Sequence, residues 1–320
     1  MLLPWRAGKS DIIKMHSEDY RGEYMIKIKK AGKRSSTIIV ETEAPYIQYK
    51  NLKETGIVHN GFSTRLGGVS GGMHSSMNFS VKMGDSIENV RKNFQIFTEK
   101  NGFKNPVMSN QTHTTNVLTV TENDIGKGIY KEADYSDIDG LITNRRGITL
   151  VTSYADCVPL YFADVKNKAI GLSHSGWRGT VNRMGEATLK RMKEEFGTKP
   201  EDVIAAIGPS ICLNCYEVSL EVAREFEKEF GASAEEHRAY DTEHIRESAQ
   251  NMDAILYKKD NGKYLLNLWA ANYKVLTDAG VLSDNIAIPD ICTCCNRDIL
   301  FSHRGHMGKR GNLCAFLMLK

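Results

Sequence analysis

Apolar and polar positions along this chain repeat with two different periods. Period-two alternation and short apolar runs mark strands in VMSNQTHTTNVLTV (107–120), where Gln111-Thr112-His113 interrupts the strand, and in VIAAIGPSICLNCYEVS (203–219). DGLITNRRGITLVTSYADCVPLYFADVKNKAIGLSHSGWRGT (139–180) alternates apolar strands with tight loops. IAIPDICTCCNRDILFSHRG (286–305) reads as strand, loop, strand, and CAFLMLK (314–320) as a terminal buried strand. A longer period predicts helices over 85–102, 181–197, 220–237 and 264–280. Ser86 is placed to cap the first and Asn101-Gly102 to end it. Met184, Ala187, Leu189 and Met192 line one face of the second, which stops at Gly197. Residues 238–262 are polar and read as a variable insertion.

Strands and helices alternate without repeats or low-complexity linkers. The pattern predicts an α/β (α+β) fold with mixed sheets and one catalytic domain over 46–320. Residues 1–45 read as an accessory β segment, from IIKMHSEDY, GEYMIKIKK and STIIVETEA, joined by basic turns.

The totals narrow the function classes. A net charge of +3 over 320 residues gives no electrostatic case for nucleic acid. No apolar run approaches the roughly 20 residues of a membrane helix, and the N-terminus lacks a secretion pattern, so a cytoplasmic protein is expected. Seven cysteines, an odd number, argue for thiols or metal ligands over a disulfide framework.

His113, Cys157 and His174 each sit where an apolar strand gives way to a polar loop. Two imidazoles and a thiolate suit a zinc ion with its fourth position open. Two core histidines and a buried thiol fit the same residues, and spacings of 44 and 17 residues match no local finger rule. The residues by themselves leave both readings open. A second cysteine set, Cys212-x-x-Cys215 with Cys292-x-Cys294-Cys295, has five thiols, enough for a structural zinc site with four thiolate ligands. Its second arm reads C-x-C-C, however, and packed thiols are the plainer reading. Arg65, beside a Gly-rich loop, and Arg178, between glycines at a helix start, are anion candidates, although either also fits a structural ion pair. Asp156, next to Cys157, is a candidate for proton transfer or for holding a ligand histidine. Asp139-Gly140 reads as a turn, and HRGHMGKRG (303–311) as a phosphate loop or a surface loop.

Taken in order, NGFSTRLGGVSGG, QTH, DGLIT, ADCVPL, HSGWRGT, GPSICLNCYEV, LNLWAAN and the late CT…FSHR resemble a known family. It is the family long labelled laccase-domain or polyphenol oxidase proteins, better described as zinc-dependent purine nucleoside phosphorylases. The resemblance spans about residues 46–320. It implies a layered α/β/β/α fold with a pocket between sheets, and one zinc held by His113, Cys157 and His174. It also implies phosphorolysis of adenosine, inosine, guanosine and 5′-methylthioadenosine, with inorganic phosphate as co-substrate, and deamination of adenosine. Arg65 and Arg178 would then face phosphate, and Asp156 would be the nearest proton-transfer group. The partners expected are small molecules, with no nucleic acid and no membrane, for a monomer or homodimer. Two departures stand out. The usual H-A-G-W-R-G reads HSGWRG, and the late G-R dipeptide is replaced by Gly311-Asn312, preceded by Lys309-Arg310. A copper oxidase is the rival of another class, but nine histidines with no H-x-H pair suit a multicopper cluster poorly. A cysteine hydrolase built on Cys157 is the other rival.

Overall fold

The computed structural model describes residues 26–231, 235–236 and 250–320. The expected strand in IIKMHSEDY, the start of GEYMIKIKK and residues 238–249 of the 238–262 insertion lie outside them.

Two six-stranded mixed sheets form the body. The first holds β1 (Thr37–Val40), β2 (Tyr46–Tyr49), β3 (Val58–Ser63), β4 (Pro106–Met108), β7 (Thr149–Tyr154) and β16 (Leu313–Leu319), in the order β1-β2-β3-β16-β7-β4. The second holds β5 (Val117–Thr119), β6 (Gly140–Thr143), β8 (Val158–Asp164), β9 (Ala169–Ser175), β10 (Val203–Ile207) and β15 (Ile286–Ala287), in the order β15-β10-β8-β9-β6-β5. A small third sheet runs β11-β14-β13-β12, from Glu217–Val218, Tyr264–Leu266, Leu256–Lys258 and Glu235–Glu236. The helices are α1 (Lys50–Glu54), α2 (Ile87–Asn101), α3 (Trp177–Val181), α4 (Met184–Phe196), α5 (Leu220–Phe230) and α6 (Leu268–Asp278).

The two large sheets pack face to face, because their strands are apolar on both sides. Along β16, Leu313, Ala315, Leu317 and Leu319 enter the core between the sheets, while Cys314, Phe316 and Met318 meet α2 on the outer face. Along β8, Tyr161 and Ala163 face the inter-sheet core, and Val158, Leu160 and Phe162 face α4 and α6. The result is the α/β/β/α layering that the resemblance implied.

The helix signals act as expected at their ends. The Ser86 side chain accepts from the backbone N–H of Asn89, and Gly102 and Gly197 close α2 and α4 at φ 73° and 70°. Four expectations differ. The 220–237 helix stops at Phe230, where Gly231 turns at φ 59°, and Glu235–Glu236 is a strand. Tyr264–Leu266 is a strand, and the helix starts only at Leu268, because Asn267 caps it by accepting from the Ala270 N–H. The expected 107–120 strand is two strands in different sheets, and its polar interruption is the crossover between them. In 286–305 only Ile286–Ala287 is a strand, and the rest is a chain of turns. β1, inside the expected accessory segment, pairs antiparallel with β2 as the edge of the first sheet. Among the described residues, no helix is long and apolar enough to cross a membrane.

The crossovers position the site. β4 and β7 are parallel neighbours, and from their C-terminal ends the chain passes to the second sheet, to β5 and to β8. β8 begins opposite the end of β9, with Val158 paired to Ser175. His113, Cys157 and His174 are thereby gathered at one edge.

Phe316 holds the outer layer, stacking on Phe97 with ring centroids 4.4 Å apart and contacting Phe79 and Phe103. Phe316→Ala is expected to cost about 3–5 kcal/mol in urea unfolding. A loss under about 1 kcal/mol would show that α2 does not depend on this contact.

Candidate functional site

Asp139 ends the loop before β6 and has no exposed surface. Its carboxylate accepts from the backbone N–H groups of Thr112 (3.0 Å), His113 (3.2 Å) and Thr114 (2.9 Å), and from the Thr114 hydroxyl (3.1 Å). It also pairs with Nδ1 of His174 at 2.7 Å, while its own carbonyl accepts from the His174 N–H at 2.7 Å. Thus one buried anion fixes both histidines. With Nδ1 engaged, His174 turns Nε2 toward the centre.

His113 sits at φ 69°, a left-handed conformation that the Asp139 hydrogen bonds hold in place. Its ring stands edge-on to that of His174, with centroids 5.0 Å apart. Cys157 closes the turn from β7 to β8. The donor atoms of His113, Cys157 and His174 all lie within 4.8 Å of one another. Gly176 is required beside them. A Cβ there would fall 2.9 Å from His113 Cδ2 and 3.1 Å from Cys157 Sγ.

The electrostatics suit a cation-binding thiolate. Burial pushes the Cys157 thiol up, but His174 and His113 outweigh it and bring it down to about 6. Burial pushes His174 down, but the Cys157 charge and Asp139 lift it to about 9. Burial likewise opposes ionisation of Asp139, and its bonds to His174 and to the loop amides bring it down to about 2. The Cys157 thiolate and the His174 imidazolium therefore already form a charge pair around neutral pH.

The three residues line a cavity of about 420 Å³. Phe79, Val81, Ile87, Val90 and Ile129 supply an apolar wall, and Ser109, Gln111, Lys82, Arg310 and Asn312 supply polar groups. Arg310 is half-buried. Its Nη1 donates to Asn312 Oδ1 and to the Gly311 carbonyl, while its buried Nε has no partner. Burial pushes its pKa down, and the nearby Asp156 and Cys157 charges act the other way.

Arg65, Arg178 and Asp156 are not in this cavity wall. Arg65 donates from Nε to Ser75 O and from Nη1 to Arg297 O, with Nη1 3.0 Å from His306 Nε2, and lies over Phe301. Arg178 is exposed and lies on the Trp177 ring, 4.3 Å from its centroid, and α3 is a helix of only five residues. Trp177 packs against the core beyond the second sheet. Asp156 is buried at φ 91°, accepting from the Thr293 hydroxyl (2.6 Å) and the Arg304 N–H (2.7 Å). Asp139, read as a turn residue, is the main organiser. Gln111 locks the crossover by exchanging hydrogen bonds with the Ser153 backbone. The DGLIT and QTH motifs carried both signals. Arg310 and Asn312, on either side of Gly311, both line the cavity.

Residues 59–320 match the family model described as multi-copper polyphenol oxidoreductase laccase. The chain belongs to this laccase family. It is 31% identical over 288 residues to purine nucleoside phosphorylase YlmD of Bacillus subtilis (strain 168), covering 89% of this chain and 95% of that protein. It is 33% identical over 285 residues to a purine nucleoside phosphorylase of Bacteroides thetaiotaomicron, covering 88% and 99%. Adenosine deaminase RL5, from an unknown prokaryotic organism, is 32% identical over 250 residues, covering 76% and 87%. The crystal structure of YlmD from Geobacillus stearothermophilus superimposes with a TM-score of 0.76 at 27% identity, covering 89% of this chain and 99% of that one.

Asp139→Asn keeps the side chain's shape and removes its charge. It is expected to raise the zinc concentration that half-protects Cys157 from alkylation by about 10–100-fold. Peptide-resolved mass spectrometry reads that site alone. An unchanged midpoint would mean that Asp139 does not hold the donor set.

Proposed function

We propose that the chain is a zinc-dependent purine nucleoside phosphorylase for adenosine, inosine, guanosine and 5′-methylthioadenosine, which also deaminates adenosine. One observation carries the reading: a two-imidazole, one-thiolate donor set shares a cavity wall with a guanidinium whose buried Nε lacks a partner. The names of the relatives point the same way. The donor set suits zinc, since borderline-soft nitrogen and sulfur ligands at three corners leave the fourth for water or substrate. When bound, zinc supplies Lewis acidity, polarising a substrate atom or lowering the pKa of water toward about 7. Among the described residues no further histidine joins the set, whereas a multicopper cluster needs many.

The protein's own residues divide the remaining work. In phosphorolysis a phosphate oxygen bonds to C1′, the C1′–N9 bond breaks, and its electron pair leaves with the purine. Arg310 binds the phosphate through its guanidinium, and Lys82 adds a second cation in the cavity lining. The apolar wall covers the base and keeps bulk water from C1′. In deamination, C6 of adenine gains a water oxygen and loses ammonia. With both Asp156 oxygens held by Thr293 and Arg304, we assign that residue to positioning the Cys157 turn, and the phosphate role passes from Arg65 and Arg178 to Arg310.

A second reading has one observation in its favour. Asp139, His174 and Cys157 stand in a relay, as in a cysteine hydrolase. Chelation separates the two readings. A zinc enzyme loses turnover with its metal, whereas a hydrolase keeps turnover until Cys157 is alkylated.

The test is chromatographic product analysis with adenosine, with and without phosphate, beside His113→Ala. Adenine and ribose 1-phosphate are expected only with phosphate, inosine without it, and neither from the variant. No product from adenosine, inosine or methylthioadenosine with stoichiometric zinc bound would end the purine reading. Arg310→Ala is expected to lower kcat/KM for phosphate by about 10–100-fold, the loss of one charged hydrogen-bonding group. An unchanged value would move phosphate elsewhere in the cavity.

A further inference from the structure

Four other cysteines, far apart in sequence, converge behind this site. The turn after β10 carries Cys212 and Cys215, and the turn after β15 carries Cys292 and Cys295. Their four sulfurs all lie within 4.8 Å of one another, with Cys215 and Cys295 at 3.5 Å. A single tetrahedral ion at a zinc–sulfur distance near 2.3 Å spaces its sulfurs about 3.8 Å apart, so the cluster has the dimensions of one ion. Passing over Cys294 turns the apparent C-x-C-C arm into Cys292-x-x-Cys295, so the site has two C-x-x-C arms. Cys294 is not part of the group, and its sulfur lies beside Gly305.

The backbone is arranged for thiolates. The N–H groups of Cys212 and Cys295 both point at Cys292 Sγ, at 3.3 and 3.5 Å. The first arm is a tight turn closed by Cys215 N–H to Cys212 O at 3.0 Å, and the second runs into a turn closed one residue on, by Asn296 N–H to Thr293 O at 3.3 Å. A parallel bridge between Ser210 and Cys292 joins the arms, and the buried Trp269 indole donates to Ser210 Oγ at 2.7 Å. Simple core packing does not account for Cys295, which is exposed.

We propose that Cys212, Cys215, Cys292 and Cys295 hold a second, structural zinc ion that braces the turn carrying Cys157. The bracing runs through Asp156. Ile211, next to the first arm, donates its N–H to the Asp156 carbonyl at 3.0 Å. Thr293, inside the second arm, donates its hydroxyl to the Asp156 carboxylate at 2.6 Å. Both arms therefore grip the left-handed residue that precedes Cys157. This site does not depend on which reaction the cavity performs.

The experiment is zinc and iron quantification on the full chain purified in reducing buffer, with peptide-resolved alkylation under native conditions. Two zinc ions per chain are expected in the wild type and in Cys294→Ser, and one each in Cys212→Ser/Cys295→Ser and in His113→Ala/Cys157→Ala. In the wild type, Cys212, Cys215, Cys292 and Cys295 resist alkylation until a strong chelator is added, while Cys294 reacts. One zinc per chain with the four thiols as reactive as Cys294, a Cys215–Cys295 disulfide, or iron in place of zinc would overturn the proposal. These wild-type readings decide it even where the double variant fails to fold. Bracing predicts that Cys295→Ser raises the zinc concentration half-protecting Cys157 about tenfold, within the range for partners of ligand residues. An unchanged midpoint would overturn the bracing.

Discussion

A single buried carboxylate carries the architecture of the site. Asp139 has no exposed surface, so its charge must be matched by hydrogen bonds and by the imidazole it faces. It draws its partners from two places, the 112–114 crossover and strand β9. Removing any of them would leave a buried anion short of a donor, a penalty larger than one hydrogen bond is worth. The same requirement holds His113 in a left-handed conformation and fixes the ring orientation of His174. The position of Cys157 follows from the tight β7–β8 turn, whose Asp156 is held in turn by the 292–304 segment.

The layered fold makes this convergence possible. Each large sheet buries both faces, one against the other sheet and one against helices, so its strands have little freedom of register. Polar loops are then confined to the edges where the chain crosses between sheets. Two such crossings, β4 to β5 and β7 to β8, leave the first sheet from neighbouring parallel strands. The cavity opens at that edge, with an apolar wall from the α2 layer and polar groups from the crossings and the 303–311 loop.

Much of the fold was legible because it rests on local signals. The Ser86 cap, the Gly102 and Gly197 stops and the unbroken apolar runs of β8, β9 and β16 act within a few residues. The three donor residues were legible as residue types at strand ends; spacings of 44 and 17 residues did not give their proximity, which came from the family resemblance. Asp139 looked like a turn residue because its partners lie 25 to 35 positions away. Arg65 and Arg178 looked like anion ligands from their glycine neighbours, but the folded chain engages them with carbonyls and aromatic rings outside the cavity wall. Arg310 was legible only as one residue of the basic 303–311 loop, and the fold places it in the cavity wall. The C-x-x-C character of the second cysteine arm was hidden by the adjacent Cys294, and only the packing of the sulfurs separates ligand from bystander.

The most direct measurement is zinc-edge anomalous diffraction from crystals of the full chain grown with zinc present. The account predicts a strong peak bounded by His113, Cys157 and His174, about 2.0–2.1 Å from each ligating nitrogen and about 2.3 Å from the sulfur. His174 Nδ1 would still be bonded to Asp139. No peak there, with Cys157 bonded directly to His174, would contradict the account and leave the Asp139–His174–Cys157 relay as the working centre.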